Sequence, residues 1–517
     1  MAFKEGKSGD ERMTAPDAPA RRFGLSNAAT AGLLLIVTLA ARVAVLGNPV
    51  VGFDEQFYLL VVDRMLHGAL PYVDIFDRKP IGLFLIYAAA RLFGGEGFVQ
   101  YKLLAALFVA ATAFGIYWTA RRHVDWFGAA FAAILYILWL NFMEGEGGQA
   151  PVFYNTFMIA AGALLLTAVP RSGGLIAKGC AALLLVGLAL QVKYSALLEG
   201  VYFGCAFLLL ARRHGLSWGR TAQFAAAMVA LALLPTAFVA LYYWGTGHWQ
   251  PFVFANFISV FGQTKGNFVR EITGLAIFVG LFLPLLIVGL IGPRTRATAP
   301  GATERRYLHG WLATAIFSVV VYWRFDAPHY ALPILVPACV LLASALMVRR
   351  RVAIGLALTA LVAGQIVLAV TVAAKGGDRE ARAVAALAMP KGRCIFVYNA
   401  YPALYMLTHS CLPSRWAFPG HLNTADENNP RALGGDAQAI TRTILANKPD
   451  VIVDTYPVYK HGNPAAHALV LQAIRERYEL AGCVVTTGRV RLVYRLRGDG
   501  GPRALDRCPA SFRPKIE

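Results

Sequence analysis

The stretch "VGFDEQFYLLVVDRMLHGALPYVDIFDRKP", residues 51–80, places many charged side chains directly after an apolar run. The run before it, 28–47, has the length of a membrane helix, since about 20 apolar residues cross a bilayer core. Charge beside a first membrane span is costly unless it lies at the surface or has a function. The charged residues of the stretch are Asp54, Glu55, Asp63, Arg64, Asp74, Asp77, Arg78 and Lys79.

The composition agrees with a membrane protein. Of 517 residues, 57% are hydrophobic and only 15% are charged, which is too apolar for a soluble chain of this size. The net charge of +20 is a feature of many nucleic-acid-binding proteins. Here the basic residues form short clusters between apolar runs, which is the pattern of membrane topology. We therefore predict a polytopic protein whose partners include membrane lipids and exclude nucleic acid.

Apolar runs recur along the first three quarters of the chain. Two of the spans that we predict, 125–141 and 196–211, are short for a membrane helix. The eleven predicted spans are 28–47, 99–120, 125–141, 152–169, 174–192, 196–211, 222–244, 273–292, 308–323, 330–348 and 352–374.

The basic clusters fall on every second connection between spans, and the positive-inside rule places all of them in the cytoplasm. Residues 1–27 are then a disordered cytoplasmic segment, 28–374 a transmembrane domain, and 375–517 a domain on the outer side, periplasmic in a bacterial inner membrane. The clusters are Arg21-Arg22, Arg121-Arg122, Arg171 with Lys178, Arg212-Arg213 with Arg220, Arg294 through Arg306, and Arg349 through Arg351.

This topology also places the opening stretch outside, in a first outer loop that covers 48–98. The pattern of 55–67 predicts a short interfacial helix, with Asp54 as its N-cap. The run 80–93 is too short to cross the membrane and begins with proline, which predicts a second surface helix.

The tail after residue 375 has a different pattern. Apolar runs that begin at Cys394, Val451, Tyr478 and Arg489 predict strands, and helical stretches near 434–447 and 464–477 lie between them. This alternation predicts a small α/β domain with a partly parallel sheet. Its cysteines have no metal-site spacing and are suited to disulfides, whose pairing stays open. They are Cys394, Cys411, Cys483 and Cys508.

The order of a span, "DEQFY", a glycine, "PY" and "FDRKP" resembles the membrane glycosyltransferases of the protein O-mannosyltransferase type. Their bacterial branch includes the enzyme that adds aminoarabinose to lipid A and the galacturonosyltransferases of lipopolysaccharide core. The stretch "APHYALPILVP", 327–337, and the outer domain with "YNAYPALYMLTHSCLPSRWAFPGHL" are also similar to this family. The resemblance implies the GT-C fold. It also implies transfer of a sugar from a polyprenyl-phosphate carrier, on the outer face, to lipid A or core, another glycan or a protein.

The resemblance assigns the catalytic acids to the opening stretch. Asp54 matches the first acid of the family's Asp-Glu pair, which implies a general base that activates an acceptor hydroxyl for an inverting displacement. The alternative is an exposed N-cap residue. Glu55 either positions Asp54 or binds a divalent cation, and no other cofactor is implied. Asp74 and Asp77 are interpreted as solvated loop residues.

The resemblance also implies a group of residues around the carrier phosphate. Lys79 matches the family lysine near this phosphate, although an interfacial lysine that reaches toward the headgroups has the same pattern. Tyr330 matches the family tyrosine, and Arg324 lies at the same span mouth. Arg78 occupies a position where some relatives carry an acid. Lys193, at the outer end of a span, is interpreted as a phosphate or sugar contact.

Four further side chains are predicted to contact donor or acceptor. Tyr58 lies one helical turn after Asp54, and His329 lies beside the matched tyrosine. Glu144 and Glu146 occupy the second outer loop, where family members often have another acid. The position that this acid usually occupies in the family is not clearly matched by an acid in this chain.

Two other classes of protein stay open. A secondary transporter or lipid flippase requires ionisable residues deep inside the spans and broken helices with paired symmetry. A catalytically inactive scaffold would bind a partner through its outer domain. The clustering of charge at the outer surface favours the enzyme over the transporter.

Overall fold

The computed structural model describes residues 24–170, 173–264, 268–290, 301–389, 393–459, 461–499 and 503–512. Most of the predicted disordered segment 1–27 lies outside these residues. So do Arg21, Arg22 and Arg171, and the first part of the basic cluster that begins at Arg294.

Long helices dominate the first three quarters of the chain, and each of the eleven predicted spans coincides with one of them. The helices are α1 (Asn27–Arg42), α2 (Phe53–Leu66), α3 (Ile81–Arg91), α4 (Phe98–Ala120), α5 (Trp126–Trp139), α6 (Ala150–Ala168), α7 (Leu175–Leu190), α8 (Leu197–Arg213), α9 (Trp218–Gly245), α10 (Trp249–Val253), α11 (Phe268–Leu290), α12 (Ala302–Tyr322), α13 (Leu332–Val348) and α14 (Arg350–Lys375).

Eight helical segments in the described residues are long and apolar enough to cross a membrane. Two further spans, α5 and α7, are apolar but belong to the shorter helices. The remaining one, α12, has charged residues in its first turns, among them Glu304, Arg305 and Arg306. The predicted polytopic helical fold is confirmed.

The first outer loop forms the two predicted helices, α2 and α3, but α2 differs in two respects. It begins at Phe53, so Gly52, with φ of 86°, is the N-cap and Asp54 lies inside the first turn. Glycine reaches this left-handed conformation without steric cost. The helix is also buried over most of its length and does not lie on the surface. The prediction of Asp54 as N-cap was therefore wrong.

The helix α2 is buried because the C-terminal domain covers it. The ring of Phe57 lies 4.9 Å from that of Phe418, and the Gln56 Oε1 accepts a hydrogen bond of 3.3 Å from the Ala403 amide. Further along the helix, Arg64 donates to the Ser410 carbonyl at 2.6 Å. The charged loop is thus enclosed between the long helices and the C-terminal domain.

The C-terminal domain contains the four predicted strands in the order β1-β2-β4-β3. The strands β1 (Ile395–Val397) and β2 (Val451–Tyr456) pair in parallel. The strand β4 (Arg489–Leu496) pairs antiparallel with β2 on one side and with β3 (Tyr478–Thr486) on the other. The prediction of a partly parallel sheet is confirmed. The helices of this part are α15 (Asp378–Ala388), α16 (Leu404–Leu407), α17 (Pro419–Asn423), α18 (Pro430–Leu433), α19 (Ala437–Ala446) and α20 (Pro464–Arg477).

The pairing of the outer cysteines, which the sequence left open, follows from the fold. Cys394 pairs with Cys411, and Cys483 with Cys508. Both disulfides lie in the C-terminal domain, as an oxidising compartment allows.

Candidate active site

The first turn of α2 presents Asp54 to the space below the C-terminal domain. The carboxylate is half-buried, and its Oδ2 accepts a hydrogen bond of 3.3 Å from the hydroxyl of Tyr58. Residues four apart lie on the same face of a helix, so the helix itself supplies this contact. The Tyr58 side chain is buried and fixes one side of the carboxylate.

Nearby cations keep Asp54 ionised. Burial by itself raises the pKa of Asp54, but electrostatic interactions with Lys79 and His329 lower it. Lys193 and a hydrogen bond from Gln149 act in the same direction, and the net pKa lies below the ordinary value for aspartate. An opposite charge within a few ångströms favours the charged form in this way. Asp54 is therefore a carboxylate at neutral pH.

The backbone next to Lys79 is fixed by Asp77. The Oδ1 of this aspartate accepts hydrogen bonds from the amides of Arg78, at 2.5 Å, and Lys79, at 3.2 Å. The Lys79 ammonium lies 5.3 Å from the centre of the Tyr58 ring. Burial lowers the pKa of Lys79, but the charges of Asp77 and Asp54 raise it above its ordinary value. Lys79 is thus a permanent cation beside the carboxylate.

A second lysine reaches the same site from the connection after α7. The Nζ of Lys193 lies 3.6 Å from the centre of the Tyr330 ring, a cation–π contact. Burial lowers the pKa of Lys193 to about 7. Next to Tyr330, the Nδ1 of His329 lies 2.8 Å from the Glu144 Oε2. Burial raises the pKa of Glu144, but this hydrogen bond together with the electrostatic effects of His329 and Lys375 outweighs burial, so the pKa is lowered.

Two arginines that the resemblance placed around the carrier phosphate form hydrogen bonds with the C-terminal domain and with loops. The guanidinium of Arg78 donates to both carboxylate oxygens of Glu427, at 2.7 and 2.6 Å. It also donates to the Ser259 hydroxyl at 2.6 Å and the Ala432 carbonyl at 2.7 Å. Its donors are therefore largely used to join the charged loop to the C-terminal domain.

Arg324 belongs to a similar network at the mouth of α12. It donates to the Asp426 carboxylate at 3.3 Å and to the Gln263 side chain at 3.0 Å. Arg270 contacts the same Asp426 at 3.4 Å and forms an ion pair with Asp326. This network holds the start of α11 and the end of α12 against the C-terminal domain.

Glu55 lies on a different side of α2 from Asp54, because consecutive helical residues point about 100° apart. It is 1% exposed, and a side chain at Gly52 or Gly147 would overlap its carboxylate. Burial raises the pKa of Glu55 to about 7, against the opposing charge of Lys102. Burial also raises the pKa of Glu146. Both acids lie in the layer behind the site, where they pack the second outer loop against α2.

Three further residues of the site escaped the sequence interpretation. Asp77 was interpreted as a solvated loop residue, but it is buried. Gln149 and His421 had no recognisable signal of their own. The His421 ring packs against Phe76 at 5.1 Å, and burial lowers its pKa well below the ordinary value. Groups of three or more His, Cys, Asp or Glu that could hold a metal ion do not occur among the described residues.

No sequence-family profile matches the chain, and no curated protein matches it. Solved structures do match. The apo structure of ArnT from Cupriavidus metallidurans superposes with a TM-score of 0.60 at 15% identity, covering 90% of this chain and 98% of that one. The structure of the same ArnT bound to undecaprenyl phosphate gives 0.58 at 15% identity, covering 90% and 97%. The arabinofuranosyltransferase AftD from Mycobacteria gives 0.50 at 14% identity, covering 92% and 40%.

The chain therefore has the GT-C fold of membrane glycosyltransferases, as the resemblance implied. Within that class its architecture is of the ArnT type. At this level of identity the likeness concerns the fold.

Proposed function

We propose that this protein is a glycosyltransferase that moves a sugar from a polyprenyl-phosphate carrier to an acceptor on the outer face of a bacterial inner membrane. The observation that carries the proposal is an ionised carboxylate, Asp54, beside two lysines at the outer mouth of the spans. A structure of similar fold was solved with undecaprenyl phosphate bound, which supports a lipid-linked donor.

Asp54 is the general base in this proposal. Its carboxylate takes the proton of the acceptor hydroxyl while the hydroxyl oxygen attacks the anomeric carbon of the donor sugar. The bond between that carbon and the carrier phosphate breaks, the electron pair leaves with the phosphate, and the configuration is inverted. Tyr58 holds the carboxylate in place through its hydroxyl.

The leaving phosphate requires positive charge where its own charge develops. Lys79 supplies a permanent cation. Lys193, which is held over the Tyr330 ring, supplies a second positive charge when it is in its ammonium form. Arg78 and Arg324 contribute indirectly, because their guanidinium groups connect the surrounding loops to the C-terminal domain.

The acceptor is a hydroxyl-bearing component of the cell envelope: lipid A or core oligosaccharide, another glycan or a protein. It approaches from the side of the outer domain, in the topology with a cytoplasmic N-terminus and an extracytoplasmic C-terminal domain. This orientation rests on the positions of the basic clusters.

Charges inside the spans do not favour the transporter. Lys102 donates to the carbonyls of Asn48 and Val45, at 2.5 and 3.0 Å. Glu199 accepts a 2.6 Å hydrogen bond from the Trp311 indole. These groups hold helices and loop ends together, whereas transport pathways place ionisable groups along a water-filled route.

The proposal is tested with purified protein in proteoliposomes. A panel of polyprenyl-phosphate sugars is supplied with envelope extract as acceptor, and wild type is compared with Asp54→Asn. The matched control is Asp74→Asn, at an exposed position of the same loop. We expect transfer from one donor by wild type and control, and loss of at least a hundredfold in Asp54→Asn with unchanged thermal unfolding. An active Asp54→Asn variant, or no transfer from any donor, would overturn the proposal.

A further inference from the structure

A pocket of about 340 Å³ lies in the C-terminal domain, beyond the carboxyl ends of the parallel strands β1 and β2. Tyr398 and Asn399 follow β1 directly, Tyr459 lies in the loop after β2, and Asn463 and His467 belong to the start of α20. Ligands of open α/β sheets bind in the crevice at this edge. The volume is also within the range of about 300–1,000 Å³ that is typical of small-molecule sites.

We propose that this pocket binds a neutral sugar residue of the acceptor, an inference that rests on the proposed function. The walls combine side-chain amides with tyrosine rings. A sugar has hydroxyl groups at its edge and an apolar C–H face, and these walls match both parts. The ring of Tyr459, 42% exposed, supplies an apolar face with a polar tip.

Two of the side-chain amides are oriented by hydrogen bonds that use only their NH₂ groups. Asn423 donates through Nδ2 to the Tyr398 carbonyl at 2.9 Å, and Asn399 donates through Nδ2 to the Thr455 carbonyl at 3.3 Å. Within the described part of the chain, their Oδ1 atoms accept no hydrogen bond. Each amide therefore retains an acceptor for a sugar hydroxyl.

His467 is also fixed in place. Its Nε2 lies 3.1 Å from the Asp454 Oδ2, and its ring stacks on Tyr398 with a centroid distance of 5.7 Å. When Nε2 donates to the carboxylate, Nδ1 is left to pair with a ligand. The pocket thus contains oriented polar atoms from three side chains.

The start of α20 is poorly suited to an anion. Its first residue, Pro464, has no amide hydrogen, and the Asn463 Oδ1 already accepts from the Ala466 amide at 3.2 Å. Anion sites at helix starts require free amides. Among the described residues that line the pocket, none is Lys or Arg. A neutral sugar fits these walls better than a phosphate.

One segment connects the pocket to the active site. In the stretch 418–433, Glu427 binds Arg78 beside Lys79, while Asn423 forms part of the pocket wall. Asn428, the neighbour of Glu427, accepts from the Asn463 side chain at 2.9 Å. An acceptor glycan held in the pocket would therefore lie against the same segment that contacts the charged loop.

The test fills the pocket without touching the active site. Ala468 is an exposed residue of α20 that lines the pocket, and Gln472 is exposed on the same helix outside the lining. Full-length wild type, Ala468→Phe and Gln472→Phe are prepared in nanodiscs. Saturation-transfer NMR then measures binding of the methyl glycosides of glucose, galactose, mannose and N-acetylglucosamine.

We expect saturation transfer to at least one glycoside for wild type and Gln472→Phe, and a signal at least fivefold weaker for Ala468→Phe. Absence of signal from wild type, or equal signals from all three proteins, would overturn the sugar site. Activity separates this inference from the proposed function. Loss of donor-dependent transfer in Asp54→Asn would support the proposed enzyme function. If the KM for the acceptor is at the same time unchanged in Ala468→Phe, the pocket does not bind the acceptor, and only the further inference is overturned.

Discussion

Arg78 and Glu427 form a two-point ion pair, with nitrogen–oxygen distances of 2.7 and 2.6 Å, although they lie 349 residues apart in the chain. The side chains are only 14% and 6% exposed. Because Arg78 precedes Lys79, this pair holds the backbone of the proposed phosphate lysine against the C-terminal domain. The C-terminal domain is in this way part of the framework of the candidate active site.

Loss of Glu427 should therefore destabilise the protein. Glu427→Ala leaves the Arg78 charge buried without its carboxylate, and removing one partner of a buried pair costs about 3–5 kcal/mol. We expect a lower temperature of unfolding in detergent and reduced sugar transfer. Glu476→Ala, at an exposed position of α20, is the control and should unfold with wild type. An unchanged unfolding temperature in Glu427→Ala would show that the ion pair contributes little.

The two adjacent acids of α2 should respond differently to neutralisation. Asp54 is bordered by cations, whereas Glu55 is packed against Gly52 and Gly147 behind the site. We expect Glu55→Gln to keep transfer within about fivefold of wild type, since burial already raises its pKa to about 7 and disfavours its charge. Steady-state transfer assays of Asp54→Asn and Glu55→Gln make the comparison. Equal losses in both variants would assign Glu55 a direct role in catalysis.

The sequence predicted the membrane helices and the sheet because both depend on local patterns. Apolar runs of the length of a bilayer and basic clusters between them lie within short windows of the chain. The strands at Val451 and Arg489 have the same local character. Contacts such as Arg78 with Glu427 depend instead on how distant segments pack, and no residue pattern near Arg78 indicates its partner.

The same distinction applies to burial at the site. Asp54 was predicted at a helix start and Asp77 in a solvated loop, because charged sequence outside a membrane is normally exposed. The C-terminal domain changes both environments, since Phe418 and His421 cover the loop from a position more than 300 residues later. The roles that the resemblance implies for Asp54 and Lys79 stay predictions, whereas the fold places Arg78 and Arg324 in structural networks.

The disulfide between Cys483 and Cys508 should stabilise the C-terminal domain. It closes a loop with a sequence separation of 25, for which chain entropy predicts about 3.5 kcal/mol. We expect the double variant Cys483→Ser/Cys508→Ser to unfold at a lower temperature. Cys205→Ser, at an exposed unpaired cysteine, is the control and should match wild type. Peptide mapping without reduction that joins Cys483 to another cysteine would contradict the pairing.

Lys193 should make carrier binding depend on pH. Burial lowers its pKa to about 7, so below this pH it is an ammonium and above it a neutral amine. The pKa of Lys79 is raised, so Lys79 stays charged and does not contribute to this dependence. Binding of an anionic phosphate favours the ammonium form of Lys193. Above pH 7, binding of each carrier is therefore coupled to the uptake of one proton by Lys193.

We therefore expect the affinity for a polyprenyl phosphate to fall by up to about tenfold per pH unit between pH 7 and 9. Lys193→Arg keeps its charge throughout this range, so its affinity should change little with pH. Lys193→Met has no charge at this position and should bind the carrier weakly at every pH. Comparison with this variant shows whether weak binding by Lys193→Arg comes from a missing charge or from a poorly positioned guanidinium. Binding titrations in nanodiscs at pH 7, 8 and 9 measure all three. A flat profile for wild type, or an equal slope in Lys193→Arg, would show that Lys193 does not bind the carrier phosphate as an ammonium.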